Sequence, residues 1–62
     1  MPRFEIYNTN AGELIGCYNG HDVDDALDAM ARDYGFANYE ACIAGYGVDR
    51  DTAIAELQIT QL

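Results

Sequence analysis

The stretch Asp22-Val23-Asp24-Asp25-Ala26-Leu27-Asp28-Ala29-Met30-Ala31-Arg32-Asp33-Tyr34-Gly35 decides the fold. Val23, Leu27, Met30 and Tyr34 recur at helical spacing, with Ala26 and Ala31 beside them, so one apolar stripe runs along a helix of residues 23–34. Asp22 is an N-cap residue, and Asp24 and Asp25 sit in the first turn, where the helix dipole favours negative charge. Gly35 supplies the C′ position, and Phe36 can fold back on the last turn. An apolar stripe of this width has to be covered, and in a short chain a sheet is the available cover.

Working outward toward the N-terminus, Arg3 to Asn8 alternate, with Phe4 and Ile6 on one side and Arg3, Glu5 and Tyr7 on the other. That is the period of a half-buried strand. Asn8-Thr9-Asn10-Ala11-Gly12 is a hairpin loop, and Glu13 to Tyr18 is the returning strand. Its buried face stays open between Leu14/Gly16/Tyr18 and Ile15/Cys17. Tyr7 and Tyr18 are expected to cover the hairpin as a cross-strand pair.

Toward the C-terminus, Asn38 caps a short second helix over Tyr39 to Ala44, stopped by Gly45, with Gly45-Tyr46-Gly47 a flexible break. Val48-Asp49-Arg50-Asp51 reads as a polar loop. Ala53 to Leu62 alternates as a strand, although its Ala-Ile-Ala-Glu-Leu run is also a fair helix former. The expected architecture is a single α+β domain over residues 1–62 in ββααβ order. A three-stranded antiparallel sheet carries the long helix on one face, with the last strand beside the first. The expected core is Phe4, Ile6, Ile15 or Leu14, Val23, Leu27, Met30, Tyr34, Phe36, Ile43, Leu57 and Ile59. The other sheet face is left open, with Arg3, Glu5, Tyr7, Glu56, Gln58 and Tyr18 upon it.

Composition narrows the function. The chain has 62 residues, half of them hydrophobic, which excludes a disordered tail but allows only a thin core. Eleven acidic residues face three arginines and no lysine, for a formal charge of −8. A basic face for phosphate neutralisation is therefore missing, which excludes ordinary direct nucleic-acid binding and disfavours an anionic membrane surface. Met1-Pro2-Arg3-Phe4-Glu5 is no secretory leader, and no run approaches the ~20 apolar residues of a membrane span, so a cytoplasmic location is expected.

Chemistry-bearing motifs are sparse. Serine and lysine are absent. Gly45-Tyr46-Gly47 lacks the third glycine and the βαβ context of a nucleotide fingerprint. Cys17 and Cys42 read as two reduced core thiols, and with His21 alone they match no zinc spacing. Asp22-Val23-Asp24-Asp25 and Asp49-Arg50-Asp51 resemble fragments of a calcium loop but complete none. No enzyme activity, cofactor or metal is expected.

The charge itself is the remaining signal. Asp24, Asp25 and Asp28 lie within one turn of each other, relieved only by Arg32, and Asp33, Glu40, Asp49 and Asp51 extend the negative surface. Carboxylates at fixed spacing can stand in for backbone phosphates. Tyr39 and Tyr46 are the aromatic contact candidates.

The pattern Phe4-Glu5-Ile6-Tyr7-Asn8-Thr9-Asn10-Ala11-Gly12-Glu13, followed by Asp24 to Gly35, resembles small proteins of bacteria and mobile elements. In size and acidity the chain also resembles the anti-CRISPR and anti-restriction inhibitors that phages encode against host nucleic-acid defences. This is a likeness of class, which carries over no functional residue. It implies a stoichiometric inhibitor acting in the host cytoplasm. The expected function is thus that of a non-enzymatic inhibitor, a DNA mimic in form, that blocks the basic nucleic-acid-binding surface of a protein effector. The alternative is a generic adaptor or homodimer using the open sheet face or an edge strand. Monomer and homodimer both remain open. On this reading, changing Asp24, Asp25 and Asp28 together to Lys abolishes binding and leaves the fold intact.

Overall fold

A computed structural model describes residues 2–62. Two strands, β1 (Arg3–Asn8) and β2 (Glu13–Asn19), lead into helices α1 (Val23–Asp33), α2 (Tyr39–Tyr46) and α3 (Arg50–Ala55), and β3 (Leu57–Gln61) closes the chain. The sheet is antiparallel in the order β2-β1-β3, so the last strand does lie beside the first. The α+β class and the three-stranded antiparallel sheet are as the sequence implies.

Phe4 and Ile6 point to the helical side of the sheet, where Ile6 and Leu27 are completely buried with Met30, Ala31, Tyr39, Cys42 and Ile43. Leu57 and Ile59 of β3 pack against this cluster. The open question of β2 is resolved by a bulge. Ile6 pairs with Gly16 but Tyr7 pairs with Leu14, so Ile15 is the extra residue. Ile15 joins the core, while Leu14 is exposed. Gly16 leaves room for the ring of Tyr18, whose Cε2 would stand 3.2 Å from an added Cβ. Tyr18 thus lies on the helical side rather than the open face, and donates its hydroxyl to Asp33 at 2.9 Å. It pairs with Phe4 and Tyr7 pairs with Leu14, so the two tyrosines are on opposite faces and form no pair.

The capping residues act as their chemistry dictates. Asp22 accepts from the Asp25 N–H, and Asn38 from the Ala41 N–H. Gly35 turns α1 off at φ 93°, with Phe36 N–H donating to the Ala31 carbonyl in a Schellman arrangement. The second helix runs past Gly45 to Tyr46 and stops at Gly47, φ 70°. Gly45 stays helical, and its missing side chain makes space for the ring of Phe36.

Three expectations need correction. The polar loop at 48–51 and the first half of the expected strand 53–62 hold α3, because Asp49 accepts from the Thr52 N–H and starts a helix through Ala53-Ile54-Ala55. Glu56 is the C-cap of that helix and not part of the open sheet face. Val23 and Tyr34 are exposed, since they sit at the two ends of α1, beyond the turns that sheet and α2 cover. Tyr39 takes the core position expected for Tyr34.

Candidate functional site

Arg50, at the first position of α3, draws two acidic residues together. Its guanidinium bonds Asp24 of α1 at 2.6 Å and also pairs with Glu40 of α2. It lies over the Tyr39 ring, 5.4 Å from the centroid. Asp28 is one turn on from Asp24, and its carboxylate accepts the Tyr39 N–H at 2.9 Å. Asp49 and Asp51 flank Arg50 in the chain. Two of the anticipated acids, Asp24 and Glu40, therefore meet on one cation, with a formal sum of −2 + 1 = −1, while Asp28 lies one turn along α1 and Asp49 and Asp51 adjoin Arg50 in the chain. Hydrogen bonding with Glu40 holds the Arg50 guanidinium above its ordinary pKa, so it stays charged.

Asp25 and Asp33 stand apart from this group. Asp25 accepts the His21 N–H at 3.0 Å, and Asp33 accepts the Tyr18 hydroxyl. Burial first, then the hydrogen bond and charge of Asp33, push the Tyr18 phenol up to about 12. Arg32 makes no ion pair among the described residues, so the relief expected for Asp28 comes from a backbone N–H instead.

These bonds bear on the expectation that changing Asp24, Asp25 and Asp28 together to Lys leaves the fold intact. Each carboxylate holds a structural partner, so lysines there remove fold contacts along with charge. A hydrogen-bonded carboxylate is also confined to one orientation, which lowers the entropy cost of meeting a cationic partner. No charged side chain is buried among the described residues.

Tyr39, expected as a surface anchor, is only 3% exposed. Tyr46 is 71% exposed and rests against Phe36, ring centroids 6.1 Å apart. Tyr34, assigned to the core from its spacing, is 53% exposed. Tyr34, Tyr46 and Val48 border an apolar groove of about 360 Å³ floored by Met30, Ile43 and Leu57, with Glu56 at its margin. The sequence signal for this groove is faint: apolar residues just past two helix ends, at Tyr34 and Val48.

Cys42 is buried beside the groove, and burial pushes its thiol up, away from thiolate. Cys17 is half-buried and pairs with Glu5 on the open face, so it is not a core thiol, and the sheet separates it from Cys42. Both cysteines are free. Among the described residues no three His, Cys, Asp or Glu side chains converge as a metal site, and no helix is long and apolar enough to cross a membrane. No family model, curated protein or solved structure matches the chain.

Proposed function

We propose that this chain is a non-enzymatic inhibitor that occupies the basic, nucleic-acid-binding surface of a partner protein, its carboxylates standing in for backbone phosphates. The observation that carries this reading is a chain of charge −8 that buries none of its charges among the described residues and brings Asp24 and Glu40, from two helices, onto the single guanidinium of Arg50. Long-range attraction of this kind speeds encounter and selects cationic surfaces. An anti-CRISPR or anti-restriction role is the form this function takes if the partner is a defence effector.

The test removes charge while retaining hydrogen-bond acceptors. Asp28→Asn, Asp49→Asn and Asp51→Asn together keep the oxygens that receive Tyr39 and Thr52 N–H groups. Proteins captured on the immobilised chain at low salt are challenged with duplex DNA and with rising salt. A partner released by both, and bound about tenfold or more weakly by the triple variant, is the expected result. A partner indifferent to salt, to DNA and to the three substitutions sinks the reading.

The uncovered sheet face supports a second reading, self-association, because exposed Leu14 lies there with Tyr7 and Cys17. It predicts a dimer in sedimentation that strengthens with salt, as screening relieves repulsion between two chains of −8.

A further inference from the structure

Of the six large hydrophobic side chains exposed among the described residues, Leu14, Val23, Tyr34, Tyr46, Val48 and Leu62, three border the same groove. Tyr34 comes from the end of α1, Tyr46 from the last turn of α2 and Val48 from the residue after Gly47. The Schellman stops of two helices place them there. Tyr34 and Tyr46 each stand directly before the positive-φ glycine that reverses the chain, Gly35 and Gly47, and are left exposed at the lip. Tyrosine at such a position offers a large contact area at low conformational cost and a hydroxyl for a partner's backbone.

The groove also adjoins the acidic group. Tyr39 forms part of its wall and lies beneath Arg50, which holds Asp24 and Glu40. Glu56 lies at the margin. An occupant entering between Tyr34 and Tyr46 brings its neighbouring residues against carboxylates. A second copy of this chain would bring −8 against −8 there, whereas a cationic segment meets opposite charge. Size points the same way. A partner surface of standard extent covers about 800 Å², roughly a fifth of the 3860 Å² this molecule exposes, so groove and acidic group fall within one footprint.

We propose that the groove receives an apolar side chain, aliphatic or aromatic, carried on the partner's surface between Arg or Lys residues. The groove supplies the desolvated anchor, and the acids beside it read the flanking cations. This rests on the reading above that the partner is basic, and it adds where the binding energy is concentrated.

The probes are short synthetic peptides with a central Leu flanked by Arg, the same peptide with Ala at the centre, and the Leu peptide with Glu flanks, titrated calorimetrically into the full chain. The Arg-flanked Leu peptide is expected to bind about tenfold more tightly than its Ala counterpart. That advantage is expected to vanish in Tyr34→Ala and in Tyr46→Ala, both at exposed positions outside the core. Equal, salt-sensitive binding of the Leu and Ala peptides overturns the groove proposal while the basic-partner reading stands. Equal binding of the Glu-flanked peptide overturns the cationic occupant. Failure of every Arg-flanked peptide to bind at low salt removes both readings. A dimer in sedimentation that Tyr46→Ala dissolves gives the groove to a second copy and also overturns the proposal.

Discussion

Tyr18 donates its hydroxyl to Asp33 and so ties β2 to the last turn of α1. Folding holds this phenol up at about 12, above its ordinary value of 10.0. The folded state therefore binds the phenolic proton more tightly than the unfolded chain does. The stability this gives is complete below pH 10 and is lost as pH climbs toward 12. Burial, opposed in part by Arg50, shifts Tyr39 in the same direction. Tyr18→Phe should accordingly flatten, but not abolish, the alkaline fall in the urea midpoint; an unchanged fall places the sensitivity elsewhere. Gly20 is a second sensitive residue, because a Cβ there would sit 2.7 Å from the Ala26 nitrogen and from the Asp25 Cβ. Backbone cannot yield as a flexible side chain does, so Gly20→Ala is expected to cost about 1–3 kcal/mol in urea unfolding. Leu27→Ala empties a completely buried position and is expected to cost about 2–5 kcal/mol.

At the scale of elements, α3 is the weakest part of the helical layer. Its six residues contain no buried side chain, although Ala53 and Ile54 touch the core. A helix this short does not persist without tertiary contacts. Arg50 fastens its N-terminal end to α1 and α2, while the Glu56 carbonyl at its other end accepts both the N–H and the hydroxyl of Thr9 at 2.8 Å. The ion pairs are exposed, so each is worth about 0.2–1 kcal/mol, and the contact with the Tyr39 ring adds about 0.5–1 kcal/mol. Arg50→Gln is expected to lower global stability by about 1–2 kcal/mol in total. It should also raise hydrogen exchange locally, at the amides of Ala53 to Glu56. Exchange there equal to the wild type would mean that Thr9 and the core contacts suffice to hold α3.

For the whole molecule, size and charge oppose stability together. A domain of 62 residues has roughly 3–9 kcal/mol to hold it, and a net charge of −8 acts against compaction. The radius of gyration is 10.7 Å, close to the ~10 Å screening length at 0.1 M salt. At low ionic strength each carboxylate therefore feels most of the others, and at high ionic strength only its contacts. Adding salt should raise the thermal midpoint even though it weakens the Arg50 pairs, since the repulsions outnumber them. A midpoint that falls with salt would show that the pairs around Arg50 dominate. The same screening should weaken binding to a basic partner, so stability and affinity are expected to move in opposite directions along one salt series.

The sequence by itself determined what depends on local period, capping and composition. The hairpin, the long helix with Asp22 and Gly35 at its ends, the antiparallel sheet and the acidity were legible, because neighbouring residues carry each of those signals. Tertiary structure alone decided which apolar residues are covered. Tyr34 and Tyr39 exchanged their expected places, since a stripe specifies a direction around a helix but not how far along it the packing partner extends. It also decided how the acids are grouped. Asp24, Glu40 and Arg50 lie on three different helices, and only the packing of those helices places two carboxylates on one guanidinium and leaves an apolar groove beside them.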